Sequence, residues 1–171
     1  MISTFIVSQI LVGIALLTDF ASFQYKDRKK IVLFLCISSI LIAVHYFLLE
    51  KNTAGVLIFI SVIRFITAYF STRKSIMYAI IALNILGFAI TYASVASLII
   101  FIAMTLCTIG AFQKEDKYLR ILFMMGTGLM IAYDVLIFSP MAIFLESFFF
   151  ASNLIGYYRF YIRKDVKVRV E

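Results

Sequence analysis

Long apolar runs, separated by short polar turns, make up most of this chain. The first three runs are residues 2–22, 31–49 and 54–72, in which Asp19 and Arg64 are the only charged residues. An α-helix needs about 20 apolar residues to cross roughly 30 Å of hydrocarbon. Each run therefore predicts a membrane-spanning helix. The strands of a β-barrel are not favoured, because they alternate apolar and polar residues over about ten positions.

The longest run extends from Ser75 to Gln113, 39 residues without a charge. As one helix it would measure about 58 Å, so the chain must turn back within it. The polar stretch 91–94 is the predicted turn. Beyond the run, Pro140 predicts a new helix, because proline is tolerated in the first turn. The remaining predicted helices are 75–92, 95–113, 119–138 and 141–162, which gives an all-α polytopic membrane protein with seven transmembrane helices.

Two parts of the chain match each other at an offset of 89 residues, which predicts an internal duplication. This offset aligns Phe23-Gln24 with Phe112-Gln113 and His45 with Asp134, and a further shift of six aligns Arg64 with Arg159. Chance agreement among apolar helices is the alternative, although polar residues are rare in such helices.

The duplication predicts a single transmembrane domain, residues 1–171, in a 3+1+3 arrangement. Repeat one is 1–74, the linking helix is 75–92 and repeat two is 95–165. Because one helix links two copies of three crossings, both copies have the same orientation, as in parallel-repeat transporters.

Basic residues indicate the orientation in the membrane. Hydrophobic residues make up 64% of the chain, against roughly 45–50% in soluble domains. Thirteen of the sixteen Lys and Arg residues form four clusters: Lys26/Arg28/Lys29/Lys30, Arg73/Lys74, Lys114/Lys117/Arg120 and Arg163/Lys164/Lys167/Arg169. Basic residues beside spans are retained in the cytoplasm. The amino terminus is therefore expected outside and the carboxyl terminus in the cytoplasm, with anionic headgroups of membrane lipids, not nucleic acid, as partners.

Charged residues within spans are the candidates for function, since each costs at least about 2.5–3.5 kcal/mol at the bilayer centre. Arg64 is expected to pair with Asp134 or Glu146, either to fix the helix register or as a clamp for an anion in a central cavity. His45 could exchange protons, or be a hydrogen-bonded core residue. Asp19 is expected to pair with Arg28 or Lys29 (near the helix end).

Two amides complete the candidate site. Asn153 lies seven residues after Glu146 and on the same helix face, as expected of a binding pathway or of a polar stripe that joins helices. Asn84 in the linking helix is a weaker candidate. No nucleophile–base pair, metal-ligand spacing or glycine-rich phosphate loop is present in the sequence, so we expect no enzyme activity, metal or cofactor.

Two motif regions resemble those of YgjV-like bacterial inner-membrane proteins. The first is 44–49 (VHYFLL) followed by Ala54-Gly55 and Ile63-Arg64; the second is Glu146 with Asn153 and Arg159. The resemblance covers about residues 5–165. That family is distantly similar to the PQ-loop superfamily of SWEET sugar transporters and the KDEL receptor, whose 3+1+3 plan it implies. The Pro-Gln pair of that superfamily is absent.

Together these features predict a small-solute transporter of the bacterial inner membrane. Its cavity would lie between two rocking three-helix units and be lined by Asn153, Glu146, Asp134, Arg64 and His45, with Asn84 as a further contributor. The alternative is a non-transporting receptor or assembly subunit of the same fold. The substrate, coupling ion and oligomeric state are left open.

Overall fold

The computed structural model describes residues 3–22, 28–113 and 115–162. This part of the chain forms seven α-helices and contains no strand. The helices are α1 (Thr4–Ser22), α2 (Arg28–Leu48), α3 (Asn52–Phe70), α4 (Lys74–Thr91), α5 (Val95–Ala111), α6 (Asp116–Leu136) and α7 (Pro140–Tyr157), which continues as a π-helical turn, Tyr158–Ile162. The predicted all-α fold with seven helices is confirmed. Lys26, Lys114 and the cluster at 163–169 lie outside the described residues.

Three of the described helices have the length and hydropathy of membrane spans. Asn52–Phe70, Lys74–Thr91 and Lys117–Leu136 are long and apolar enough to cross a bilayer, and Thr4–Asp19, Leu33–Leu48 and Val95–Ala111 are shorter apolar helices. Large apolar side chains are exposed on all seven helices, among them Leu17, Phe59 and Phe144. Soluble monomers rarely expose apolar surface so extensively, whereas lipid covers it without cost.

Six of the helices close a ring made of two bundles. In the first bundle α2 packs between α1 and α3, and in the second α6 packs between α5 and α7. The bundles meet where α3 packs on α5 and where α7 packs on α1, while α4 packs on α3 and α5. A two-fold rotation that exchanges the two bundles would carry α3 onto α7 and α5 onto α1, so the α3–α5 contact would fall on the α7–α1 contact. The 3+1+3 repeat arrangement and the duplication stay predictions.

The turns after α2 and α6 have the same backbone geometry. Glu50 and Phe138 both adopt the left-handed conformation, with φ angles of 59° and 56°. The amide that follows each of them donates to the carbonyl five positions back: Lys51 to Tyr46 at 2.9 Å, and Ser139 to Asp134 at 3.0 Å. The equivalent positions in the two turns are 88 residues apart.

An offset of 88 corrects two predicted matches. Asp134 is equivalent to Tyr46 and not to His45, because the predicted offset of 89 is one residue too long here. The match of Arg64 with Arg159 is also wrong, because the two residues lie at different positions along their helices. Arg64 lies within α3, whereas Arg159 lies in the turn beyond α7. At an offset of 88, Arg64 is equivalent to Ser152.

The two ends of the ring differ in charge. Arg73 and Lys74 lie where α3 ends and α4 begins, and Lys117 lies in the first turn of α6. We call this the basic end. The turns at Glu50 and Phe138 lie at the opposite end.

Candidate functional site: a two-part cavity within the ring

A cavity of about 70 Å³ lies inside the ring, and all six ring helices contribute to its wall. We call it the inner cavity. It has room for a few water molecules. Apolar side chains form most of the wall, and its polar members are Asp19, Ser38, Ser39, Ser61, Arg64, Cys107, Thr127 and Glu146.

The two bundles present equivalent positions to the inner cavity. Six pairs of lining residues stand 88 positions apart: Asp19/Cys107, Leu35/Phe123, Ser39/Thr127, Ile42/Met130, Ile58/Glu146 and Ser61/Phe149. This is the arrangement that a pseudo-two-fold axis through the cavity requires. The side chains nevertheless differ, since Asp19 is matched by a thiol and Glu146 by an aliphatic group.

Arg64 and Glu146 bring opposite charges to the inner cavity from different bundles. They are 4% and 6% exposed, and their charges act on each other. No ion pair of 4.0 Å or less joins Arg64 to any residue that the structure describes, and its Nε has no hydrogen-bond partner. The predicted direct pairing of Arg64 with Asp134 or Glu146 is therefore not formed, and both Arg64 and Glu146 line the inner cavity.

Asp19 is a third ionisable residue in this wall. Its side chain is 2% exposed, and Oδ2 accepts a hydrogen bond of 2.8 Å from the Ser38 hydroxyl of the same bundle. The predicted pairing with Arg28 or Lys29 concerns side chains outside the described part of the chain. Asp19 thus belongs to the inner cavity, which the sequence did not indicate.

A larger cavity of about 550 Å³ lies at the basic end. We call it the vestibule. Most of its lining is apolar, and its polar side chains include Arg120, Asn153 and Arg159. The Asn153 amide donates to the carbonyl of Phe149, one turn earlier, at 3.0 Å. The guanidinium of Arg120 rests on the backbone of Gly156, where a Cβ atom would lie 2.9 Å from Cζ.

Four apolar residues line both cavities and therefore separate them. They are Leu35, Phe65, Phe123 and Phe149, from α2, α3, α6 and α7. We call these four residues the collar. The collar therefore lies on the route from the vestibule to Arg64 and Glu146 among the residues that the structure describes.

Hydrogen bonds join the two bundles near the opposite end. We call this set the polar closure: Gln9 Nε2 to Ser139 Oγ at 3.5 Å, the Met141 amide to Gln9 Oε1 at 3.1 Å, His45 Nε2 with Ser139 Oγ at 3.0 Å, Tyr46 Oη to Asp134 Oδ1 at 2.6 Å, and Thr53 Oγ1 to Ser97 Oγ at 3.1 Å. Each bond links a residue of the first bundle to one of the second bundle or to the turn before α7. The ring is thus held shut at this end.

The predicted site residues separate into three groups. Arg64 and Glu146 line the inner cavity, and Asn153 lines the vestibule. His45 and Asp134 line neither cavity: both are fully buried in the polar closure, where His45 also contacts the Ser8 carbonyl at 3.0 Å. Asn84 is buried between helices and donates to Thr108 Oγ1 at 3.1 Å. The prediction that these last three line the cavity is wrong.

The sequence reasoning missed the serines, the threonine and the cysteine of the inner cavity. Hydroxyl groups are common in membrane helices and usually bond their own backbone, as Ser61 does to the Leu57 carbonyl at 3.2 Å. A single serine or threonine in the sequence therefore does not indicate a cavity. The offset of 88 would have pointed to them, because it superposes Ser39 on Thr127 and Asp19 on Cys107.

The fold and the site define a helical membrane protein with ionisable groups facing a central cavity. Comparison with protein families identifies the family to which this membrane protein belongs. The chain belongs to the YgjV family, whose model, described as a bacterial inner membrane protein, matches residues 6–164. No curated protein and no solved structure matches the chain. The link to the PQ-loop superfamily stays a prediction.

Proposed function

We propose that the chain is a small-solute transporter of the bacterial inner membrane, working by alternating access between its two three-helix bundles. The observation that carries the proposal is the asymmetry between the two ends of the ring. Hydrogen bonds join the bundles at the opposite end, while the vestibule separates the helices at the basic end. This is the geometry expected of a transporter open on one side.

The contact between the bundles suits a rocking motion. Each bundle is held together by the packing of its middle helix on both neighbours, whereas the helices of different bundles pack on each other mainly along α3–α5 and α1–α7. The polar closure is made of neutral hydrogen bonds and one hydrogen bond to a carboxylate, which net roughly 0.5–3 kcal/mol each and can be exchanged for water. Opening of the polar closure with closing of the vestibule would move access to the inner cavity from one end to the other.

The basic end belongs in the cytoplasm under this proposal, since basic residues beside spans are retained there. The vestibule then opens inward, and Arg73, Lys74 and Lys117 face anionic lipid headgroups. No step of the proposed cycle is catalytic.

A disulfide across the polar closure tests the proposal. Thr53 and Ser97 come from different bundles, and their hydroxyl oxygens are 3.1 Å apart. In a Cys36→Ser/Cys107→Ser background, we expect oxidation of the Thr53→Cys/Ser97→Cys pair to abolish uptake of labelled metabolites into proteoliposomes, and reduction to restore it. The matched control is Asn84→Cys/Thr108→Cys, which joins α4 to α5 and leaves both bundles free.

Two outcomes would reject the proposal. One is the absence of flux for every member of a broad metabolite panel under proton and sodium gradients. The other is flux that continues unchanged when the bundles are cross-linked. Saturable binding without flux would instead support the alternative, a non-transporting receptor of the same fold. That alternative predicts Arg64 locked to a carboxylate, which the described residues do not show.

A further inference from the structure

Two residues of opposite charge line the inner cavity without forming an ion pair with each other. Arg64 and Glu146 are almost fully buried, face the same space and come from different bundles. Buried charges without hydrogen-bond partners are costly, and opposite charges normally contact each other to offset that cost. Here the guanidinium keeps an unpartnered Nε. A ligand in the inner cavity can therefore accept from Arg64 and donate to Glu146 at the same time.

A solute with a carboxylate and an ammonium group on one carbon meets both requirements. A guanidinium binds carboxylates through paired N–H groups, and an ammonium offers three donors to a carboxylate such as Glu146. An anion without an ammonium would meet the carboxylate of Glu146, and an amine without a carboxylate would leave Arg64 unsatisfied. Asp19, which accepts from Ser38 within its own bundle, adds a second carboxylate to the same wall and further favours a solute that carries an ammonium group.

The inner cavity suits the charged part of such a solute, and the vestibule suits its apolar part. The inner cavity, at about 70 Å³, has room for the charged head group but not for a large side chain. Beyond the collar, the vestibule adds about 550 Å³ with a largely apolar wall that includes Phe65 and Tyr69. Pockets of this size and lining hold small organic molecules. An apolar remainder would therefore extend through the collar toward the basic end.

We propose that the site binds zwitterionic solutes of the α-amino-acid type, with the carboxylate on Arg64, the ammonium on Glu146 and an apolar remainder in the collar and vestibule. This inference rests on the proposed function, because it identifies the solute of the same cavity. It also supplies a coupling between binding and motion. One solute contacts a charge on each bundle, so its binding draws the bundles together around it.

Matched ligands test the charge requirement without altering the protein. The probes are alanine, leucine and phenylalanine, each with its deaminated acid and its decarboxylated amine; for leucine these are 4-methylpentanoate and 3-methylbutylamine. Binding to the purified full-length protein in nanodiscs is measured by calorimetry and by the shift of the unfolding midpoint. We expect at least one amino acid to bind at least tenfold more tightly than both its acid and its amine.

Charge-neutralising variants test the two contacts separately. Arg64→Gln and Glu146→Gln should each weaken amino-acid binding at least tenfold. In Glu146→Gln the preference for the amino acid over the matched acid should disappear, and in Arg64→Gln its preference over the amine should disappear. Arg73→Gln and Glu50→Gln, which neutralise exposed charges at the two ends, should leave binding unchanged. The ligand comparison on the unaltered protein decides the question even if a variant does not fold.

Three results would overturn the inference: no binding of any of the three amino acids, binding of every amino acid that is matched in tightness by its acid or its amine, or amino-acid binding that neither variant affects. These results are separable from failure of the transport proposal. Amino-acid binding without flux rejects transport alone, whereas flux of a solute without the paired charges, together with no amino-acid binding, rejects only the inference.

Discussion

Tyr46 and Asp134 occupy equivalent positions in the two bundles and bond to each other. The Tyr46 hydroxyl donates to Asp134 Oδ1 at 2.6 Å, while Oδ2 has no hydrogen-bond partner and both side chains are buried. Removal of the donor in Tyr46→Phe would leave the whole carboxylate without a side-chain donor. We expect the free energy of unfolding to fall by about 1–3 kcal/mol, measured by denaturation in mixed micelles.

Tyr118→Phe is the matched control for this substitution, because the Tyr118 side chain is half exposed at the basic end. It should leave stability unchanged. The double variant Tyr46→Phe/Asp134→Leu removes both partners and should regain part of the loss, since two apolar groups leave no unmet acceptor. Equal stability of Tyr46→Phe and the unaltered protein would show that the bond contributes nothing.

The sequence indicates the depth of a polar residue better than the direction in which it points. Successive residues of an α-helix are rotated by about 100°, so an error of one position in the repeat offset moves a side chain to a different face. His45 and Asp134 were predicted at equal depth, which is close to what the structure shows, yet both point into the polar closure. Arg64 and Glu146 were placed in the cavity because a charged residue within a span normally faces a cavity or a partner of opposite charge.

Close helix contact at the element scale depends on one of two neighbouring glycines. Gly126 lies against α5, where an added Cβ would be 3.0 Å from the Ala103 carbonyl oxygen, whereas a Cβ at Gly128 would find only the Phe150 ring at 4.0 Å. Because backbone cannot yield as a flexible side chain can, Gly126→Ala should separate α5 from α6. We expect a loss of about 1–3 kcal/mol in the free energy of unfolding.

Gly128→Ala should be neutral or slightly stabilising in the same denaturation measurement, since alanine is the better helix former. The two variants make the same substitution at positions two residues apart on one helix. Similar losses for both variants would contradict the packing described for α5 and α6.

The collar predicts how fast reagents reach the inner cavity. Cys107 lines that cavity and is 3% exposed, so its modification by a small methanethiosulfonate reagent reports access. In a Cys36→Ser background, Phe65→Ala and Phe123→Ala should each speed modification several-fold, because they widen the passage from the vestibule. Phe144→Ala, at an exposed position on α7, should not. Unchanged rates in both collar variants would show that the collar is not the barrier.

The order and ends of the helices could be predicted from the sequence because lipid sets their length. The turn within the long uncharged run was predicted at 91–94, and α4 ends at Thr91 with α5 beginning at Val95. Packing between helices could not be predicted, since apolar residues suit both lipid and helix neighbours. The exposed faces of α4 and the buried faces of α3 therefore look alike in sequence.

Orientation in the membrane is a property of the whole molecule that labelling can test. With Cys36 and Cys107 replaced by serine, single cysteines are placed at Thr72 near the basic end and at Phe138 in the turn after α6, where the side chain is 81% exposed. A membrane-impermeant maleimide should label the Phe138→Cys variant in spheroplasts. The Thr72→Cys variant should react only after the membrane is opened. The reverse pattern would place the basic end outside.

The inner cavity is symmetric in position and asymmetric in chemistry, and this has a consequence for assembly. Two identical three-helix chains paired about a true two-fold axis would bring each residue opposite its own copy, acid facing acid and base facing base. A ligand bound on the axis of such a homodimer could not contact a single acidic residue on one side and a single basic residue on the other. When both halves belong to one polypeptide, the residues on each side of the inner cavity can change independently of each other. The chain then resembles a heterodimer whose two subunits are always present in equal number.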